Sequence, residues 1–224
     1  MIHIDHISIS AANIYEASHK LRAETGIGFY DAGFFPGGNA NRVFPLGGTT
    51  YLEVGGFVDV FVASDPKRPK PWWYEKVREG DRFSGLCLRV DTLDELKEIA
   101  DRLKVKFPAG PLSKTKPDGT QLYAYGVPSA GDAWLKGLPN WYYFPDYNKH
   151  PSGQPVIGTT DLVNPQGISF LEVGGTEAAM SEWMGVPASN YPFRFNGKVP
   201  GLYAVGVKSD KGEIVIRRKS ATED

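Results

Sequence analysis

The 224-residue chain is poor in sulfur, in histidine and in net charge, and each shortage narrows what it can be. Its one cysteine, Cys87, cannot form an intrachain disulfide. That excludes a disulfide-stapled secreted fold and a zinc knuckle built on cysteine pairs. The four histidines, His3, His6, His19 and His150, are with the carboxylates the whole stock of ligands for any metal. Neither sign of charge is in excess: 25 Lys and Arg against 26 Asp and Glu give a formal net charge of -1, and no basic run offers a nucleic-acid footprint. No apolar run approaches the roughly 18 residues of a membrane span, and the opening Met-Ile-His-Ile-Asp-His lacks the pattern of a leader. A soluble cytoplasmic protein with no nucleic-acid or membrane partner is the expectation. The chain is 41% hydrophobic and 23% charged, which suffices for one large core or two small ones.

Residues 2 to 10 alternate Ile with polar residues and read as a strand with two distinct faces. A helix should follow, capped by Asn13 with Glu16 three positions on, striped by Ile14, Ala17 and Leu21, and closed by Gly26. Glycine-punctuated segments at 29–38, 41–46 and 49–54 read as three antiparallel strands. The order restarts with a strand at 83–90, a helix with a capping box from Thr92 to Glu95, and segments near 108–112, 121–127 and 140–144. A third copy opens at Ile168 with a helix from Thr176 to Met184 and strands near Phe193, 202–207 and 213–216. His6, Gly85 and Ser169 each precede a helix cap by the same interval, which argues for internal duplication. The expectation is an α+β fold. Repeated β-α-β-β-β modules over 1–56, 83–147 and 167–218, with linkers 57–82 and 148–166, form a cupped antiparallel sheet with helices on the outer face. A short helix is expected over 72–78.

Strand alternation sorts the candidates for chemistry. Ile7 and Ile9 belong under the helix, so His6 and Ser8 face the other way; with Leu52 and Val54 also under the helix, Tyr51 and Glu53 join His6. A histidine and a glutamate on one sheet face are the makings of an imidazole-carboxylate metal site, with ligand bonds of about 2.0–2.2 Å. The plainer alternative is a core histidine bonded to Glu53 with no metal, since a buried carboxylate needs a partner. His3 and His19 read as solvated and Glu172 as a strand-end charge. Either Trp141 with Tyr143, or Tyr142, must line the cup, and Trp72, Trp73 and Tyr74 add aromatic surface in the linker. Such a wall suits a planar ligand. Arg42 can aim at an anionic substrate group or hold its own loop.

The chain resembles the vicinal oxygen chelate superfamily, and within it the glyoxalase-like domain proteins. The resemblance rests on Ile4-Asp5-His6-Ile7, on Gly38-Asn39-Ala40-Asn41-Arg42, on Tyr51-Leu52-Glu53 and on the paired modules, over roughly residues 2–150. It implies an eight-strand cup whose first and last strands in each module hold a divalent metal (Fe, Mn, Ni, Co or Zn) that chelates two neighbouring substrate oxygens. On that pattern His6 and Glu53 are metal ligands. The second module departs from it, with Gly85 at the position of His6 and Asn140-Trp-Tyr-Tyr-Phe144 where a carboxylate belongs, so His150 becomes the candidate third ligand. The function so implied is a metal-dependent lyase, isomerase or dioxygenase acting on a small oxygenated, planar substrate. Asn41, Arg42, Tyr51, Trp141 and Tyr143 would bind that substrate, and Glu53 or Tyr143 would move the proton. A metal-free protein that sequesters a planar compound is the alternative, and a bare dimerisation module the third. The odd third copy raises the expectation of a homodimer.

Overall fold

Each half of the cup starts from a strand that feeds a capped helix. The computed structural model describes residues 1–67, 74–128, 139–146 and 163–223. In the first half, β1 (His3–Ser10) leads into α1 (Ile14–Thr25), where the Asn13 side chain accepts from the amides of Tyr15 and Glu16 and Gly26 ends the helix at φ 71°. Then come β2 (Tyr30–Phe34), β3 (Asn39–Gly47) and β4 (Thr50–Phe57), followed by a short α2 (Val60–Ser64) capped by Asp59. The second half repeats this with β5 (Arg82–Arg89), α3 (Leu93–Arg102), β6 (Leu112–Thr115), β7 (Gln121–Pro128) and β8 (Pro139–Tyr143). The Thr92–Glu95 capping box that opens α3 is complete in both directions. The strand expected near 108–112 lies instead at 112–115. The turn through Gly119, at φ +83°, makes it the hairpin partner of β7 and so fixes its register. Of the helix expected over 72–78, a 3-10 turn at Lys76–Glu79 is described.

The strands close a ring in the order β1-β4-β3-β2-β6-β7-β8-β5, with β5 returning to pair with β1. The sheet is mixed rather than wholly antiparallel, because β1 runs parallel to β4 and β5 parallel to β8. The helix accounts for this. It carries the chain back to its starting end, so β2 and, two reversals later, β4 run in the direction of β1. The two halves meet along the antiparallel β1–β5 seam, where His6 lies opposite Cys87 and Ser8 opposite Gly85. The opposite seam is the single pair Phe34–Thr115.

The remaining strands form a second sheet. β9 (Pro165–Val173), α4 (Glu177–Met184), β10 (Phe193–Phe195), β11 (Leu202–Ser209) and β12 (Gly212–Arg217) follow the same chain order, but the sheet order is β10-β9-β11-β12, with β9 inside. It is therefore not a third wall of the cup. A last strand, β13 (Lys219–Ser220), returns to β5. The second sheet and α4 share one apolar layer with the outer face of the ring: Ile7, Ile9, Leu52, Leu86, Leu88 and Trp141 are buried together with Leu171, Trp183 and Val205. Trp141 and Trp183 meet at 5.0 Å between ring centroids, and truncating such a side chain removes about 3–5 kcal/mol. Arg102, at the end of α3, donates to the carbonyls of Glu182, Trp183 and Met184 and so ties the second half to the terminal helix of this layer. No helix among the described residues is long and apolar enough to cross a membrane.

Candidate functional site

Strand alternation would place Asp5 and His6 on opposite faces, yet both side chains are buried and their Nδ1 and Oδ2 atoms lie 3.4 Å apart. The cause is a shift in the β1–β5 register between Ile4 and His6, which leaves Asp5 as an extra residue. From His6 onward alternation resumes, with Ile7 and Ile9 in the apolar layer. The His6 imidazole stacks on Tyr51 at 4.7 Å with 14° between planes, and its Nε2 lies 3.8 Å from Oε1 of Glu53.

Glu53 is held by two hydrogen bonds. Ser8 Oγ donates to Oε1 at 2.9 Å and Asn41 Nδ2 to Oε2 at 2.5 Å, and the other end of the Asn41 amide, Oδ1, accepts from Lys114 Nζ at 3.4 Å. Lys114 reaches in from β6 and is only 7% exposed, with its ammonium 5.5 Å from the Phe35 ring. Two acids and two bases, Asp5, Glu53, His6 and Lys114, thus share one cluster, the condition under which charges tolerate burial.

The ionisation states follow from these neighbours. Burial pushes the Glu53 carboxyl up, but His6, Lys114 and the hydrogen bonds from Asn41 and Ser8 outweigh it and hold it below its ordinary value. Burial alone would lower His6, yet Cys87, Glu53 and Asp5 together raise it well above the ordinary imidazole value. Lys114 is lowered by burial against the pull of Glu53 and Asp5. Burial first, and then Asp5 and Glu53 for Tyr51 and Cys87 with the same carboxylates for Tyr142, push both phenols up, so both remain neutral donors.

Above the cluster opens a cleft of about 90 Å³. His6, Glu53, Ser113, Lys114 and Tyr51 supply its polar lining, while Phe35, Leu112, Leu122, Ala124, Tyr142 and Phe144 form apolar walls. Tyr51 in turn packs with Tyr30, Ala32 and Val43 in a small buried cluster of its own.

The sequence-derived site residues divide accordingly. His6, Glu53 and Tyr51 line the cleft and Asn41 orients Glu53. Arg42 does not line it: on the helix side of β3, its Nε donates to Asp31 at 2.8 Å and its guanidinium lies between the rings of Tyr15 and Phe29. Trp141 and Tyr143 also face the apolar layer, because the β5–β8 register sets Trp141 beside the core residue Leu88; Tyr142 is the aromatic residue that reaches the cleft. His150, Trp72 and Trp73 lie outside the described residues. His3 pairs with Asp91 at the surface, and Glu172 is engaged by Asn196 and Arg217. Lys114 and Asp5 were missed. The alternation of Leu112-Ser113-Lys114-Thr115 before the Asp118-Gly119 turn was the available signal for the first.

Among the described residues the donor set does not fit a divalent ion. Among the described residues no group of three or more His, Cys, Asp or Glu is placed to hold one. Both Glu53 oxygens already accept hydrogen bonds, and a buried ammonium stands where an added cation would be repelled. At the position related to His6, a Cβ on Gly85 would come within 2.8 Å of the Ser8 side chain, which leaves no room for a second ligand side chain there.

A family model described as Glyoxalase-like domain matches residues 4–171. No curated protein matches the chain in sequence. Among solved structures, a hypothetical protein from Staphylococcus aureus aligns over 98% of this chain and 86% of its own, with TM-score 0.60 and 11% identity, a likeness of fold that takes in both sheets. A 4-hydroxymandelate synthase mutant from Streptomyces coelicolor aligns over 95% of this chain and 62% of its own at TM-score 0.47 and 15% identity. The methylmalonyl-CoA epimerase from Mycobacterium tuberculosis aligns over 62% and 85% at TM-score 0.41 and 14% identity.

Proposed function

The chain belongs to the glyoxalase-like domain family, and on that premise we propose that it is an enzyme that moves a proton on a small, planar oxygenated compound bound in the cup, with Glu53 as the base. The observation that carries this reading is a carboxyl group, fixed by Ser8 and Asn41, at the polar end of a cleft with apolar walls. Fixed geometry and partial exclusion of water are what a general base needs. Glu53 takes the proton; the His6 imidazolium, 3.8 Å away, stabilises the anionic carboxylate before transfer and is near enough to return a proton afterwards. Tyr51 and Tyr142, neutral phenols, are donors for substrate oxygens, and Phe35 and Phe144 accept the flat body of the molecule.

A carboxylate held below its ordinary range is a weak base, so this chemistry is confined to carbon acids whose conjugate anion the cleft can stabilise. A metal-dependent version with His6, Glu53 and His150 as ligands draws its third donor from outside the described residues. A metal-free binding protein is the second reading, favoured by the apolar walls.

The test is solvent exchange. The protein, with and without chelator treatment, is incubated in deuterium oxide with small aryl ketones and 2-oxo acids, phenylpyruvate first, and loss of the α-proton signal is followed by NMR. Wild type should accelerate exchange whether or not chelator was used, and Glu53→Gln should lower that rate about 10²–10⁴-fold. Equal rates in the two proteins, or a strict requirement for added metal, would overturn the assignment. Binding without exchange selects the sequestering role.

A further inference from the structure

We propose that Lys114 occupies the cup as a built-in cation and binds the anionic oxygen of the ligand, so that the site selects small carboxylates or 2-oxo acids with a flat apolar body. The inference deepens the proton-transfer reading and rests on it for the purpose of the site, but recognition of the anion is measurable without turnover.

Three observations converge on Lys114. First, an ammonium carries three donors, yet among the described residues Nζ has one hydrogen bond, the long 3.4 Å contact to Asn41 Oδ1. A lysine this buried is ordinarily fully engaged, because an unsatisfied buried charge is among the costlier features a fold can hold. Second, Lys114 lines the cleft together with Ser113, Phe35 and Tyr142, so its remaining donors have somewhere to point. Third, the polar floor turns the imidazole of His6 and the amine of Lys114 toward a ligand anion. The two carboxylates opposing them are already occupied, Glu53 by Ser8 and Asn41 and Asp5 by His6. A ligand carboxylate or enolate oxygen can therefore gain an ion pair with Lys114 without displacing a protein acceptor.

The chemistry fits the weakness of the base. Removing a proton beside a carbonyl leaves the electron pair delocalised onto oxygen, and that oxygen needs a positive neighbour. An ammonium fixed about the cleft does for the developing oxyanion what electrostatic preorganisation does elsewhere, and the walls of Leu112, Leu122, Ala124 and Phe144 keep water from weakening it. Lys114 comes from the second half of the ring and Glu53 from the first, so the ligand would bridge the halves.

The experiment is calorimetric titration of chelator-treated protein with sodium benzoate and with benzamide, its uncharged counterpart. Wild type should bind benzoate at least tenfold more tightly than benzamide. Lys114→Met, which keeps the length and apolar stem, should erase that preference, whereas Glu53→Gln should retain or strengthen benzoate binding while losing proton exchange. Equal affinity for the two probes, no benzoate binding by wild type, benzoate binding only after a divalent metal is added, or a Lys114→Met protein that still prefers benzoate overturns the proposal. If Lys114→Met fails to fold by circular dichroism, the benzoate-to-benzamide ratio of wild type decides alone. Failure of Glu53→Gln to lose exchange while this preference stands would remove the base and leave the anion site.

Discussion

The two halves of the ring have the same chain order and the same strand order, and they bring different ionisable side chains to the cup. In the first, β1 and β4 bring Asp5, His6 and Glu53 to the cup with Ser8 as support. In the second, the positions related through the β1–β5 seam carry Gly85 in place of His6 and Cys87 in place of Ser8, and Asn140, beside Cys87, stands where Glu53 stands beside Ser8. The second half instead supplies a lysine from β6 and an aromatic wall. The scaffold is thus alike in the two halves while the ionisable residues are unequal, and the unequal set is what makes the two seam-related walls of the cleft chemically distinct.

The largest expected difference between the halves is catalytic. Glu53→Gln should lose the exchange activity by the two or more orders of magnitude stated above, while Asn140→Ala in the related position should change it less than about tenfold; comparable losses in both would show that the halves are not specialised. Next in size is the stability of the charged floor. Asp5→Asn removes the acid beside a buried imidazole and should destabilise the fold by about 3–5 kcal/mol in urea unfolding, with a loss under 1 kcal/mol refuting the buried pair. Gly85→Ala places a methyl 2.8 Å from Ser8 and should lower stability by about 1–3 kcal/mol, an effect that Ser8→Gly in the same chain should relieve; a neutral Gly85→Ala would mean the seam can yield.

The smallest effect is the pH dependence. Because Glu53 is held below 4.5 when folded, its contribution is complete above that pH and falls away as acid carries the protein through the lowered value. His6 is raised above 6.5, so its contribution is complete below that pH and falls away as base passes the raised value. Melting temperature should therefore decline on both sides of this window, and Glu53→Gln should flatten the acid side. An unchanged acid limb in that variant would separate Glu53 from the stability of the first half.

Much of the scaffold was legible in the sequence because its signals are local. Asn13, Thr92 and Thr176 cap helices through their own side chains, and Gly26 and Gly185 end two of them with left-handed backbone, so helix ends could be read from single residues. The faces of β1 and β4 were legible wherever alternation against the helix stripe applied, which placed His6, Tyr51 and Glu53. Alternation alone left β8 open between Trp141 with Tyr143 and Tyr142, because it says which residues share a face and not which face is the cup; pairing with β5 settles that, while Arg42 takes the local role, held by Asp31 and two rings. Lys114 was hidden for a different reason. Its strand lies just beyond the 108–112 segment that the sequence pattern marks, and only the ring brings β6 beside Asn41. The sheet order of the C-terminal unit depends on pairing across long separations and left no local mark.

The extra residue in β1 behaves like an inserted letter in a reading frame. Isoleucines at 2, 4, 7 and 9 all pack toward the apolar layer, a spacing that skips one step between Ile4 and Ile7, and the two residues in the gap are the acid and the imidazole. Most substitutions along this strand change one side chain and leave the frame intact. Deleting residue 3 or 4 would restore simple alternation but draw the acid from the cup, and deleting residue 5 or 6 would restore it only by removing one member of the pair itself. The strand is therefore far more tolerant of exchange than of a change in length, and the site owes its paired charges to a count of residues as much as to their identity.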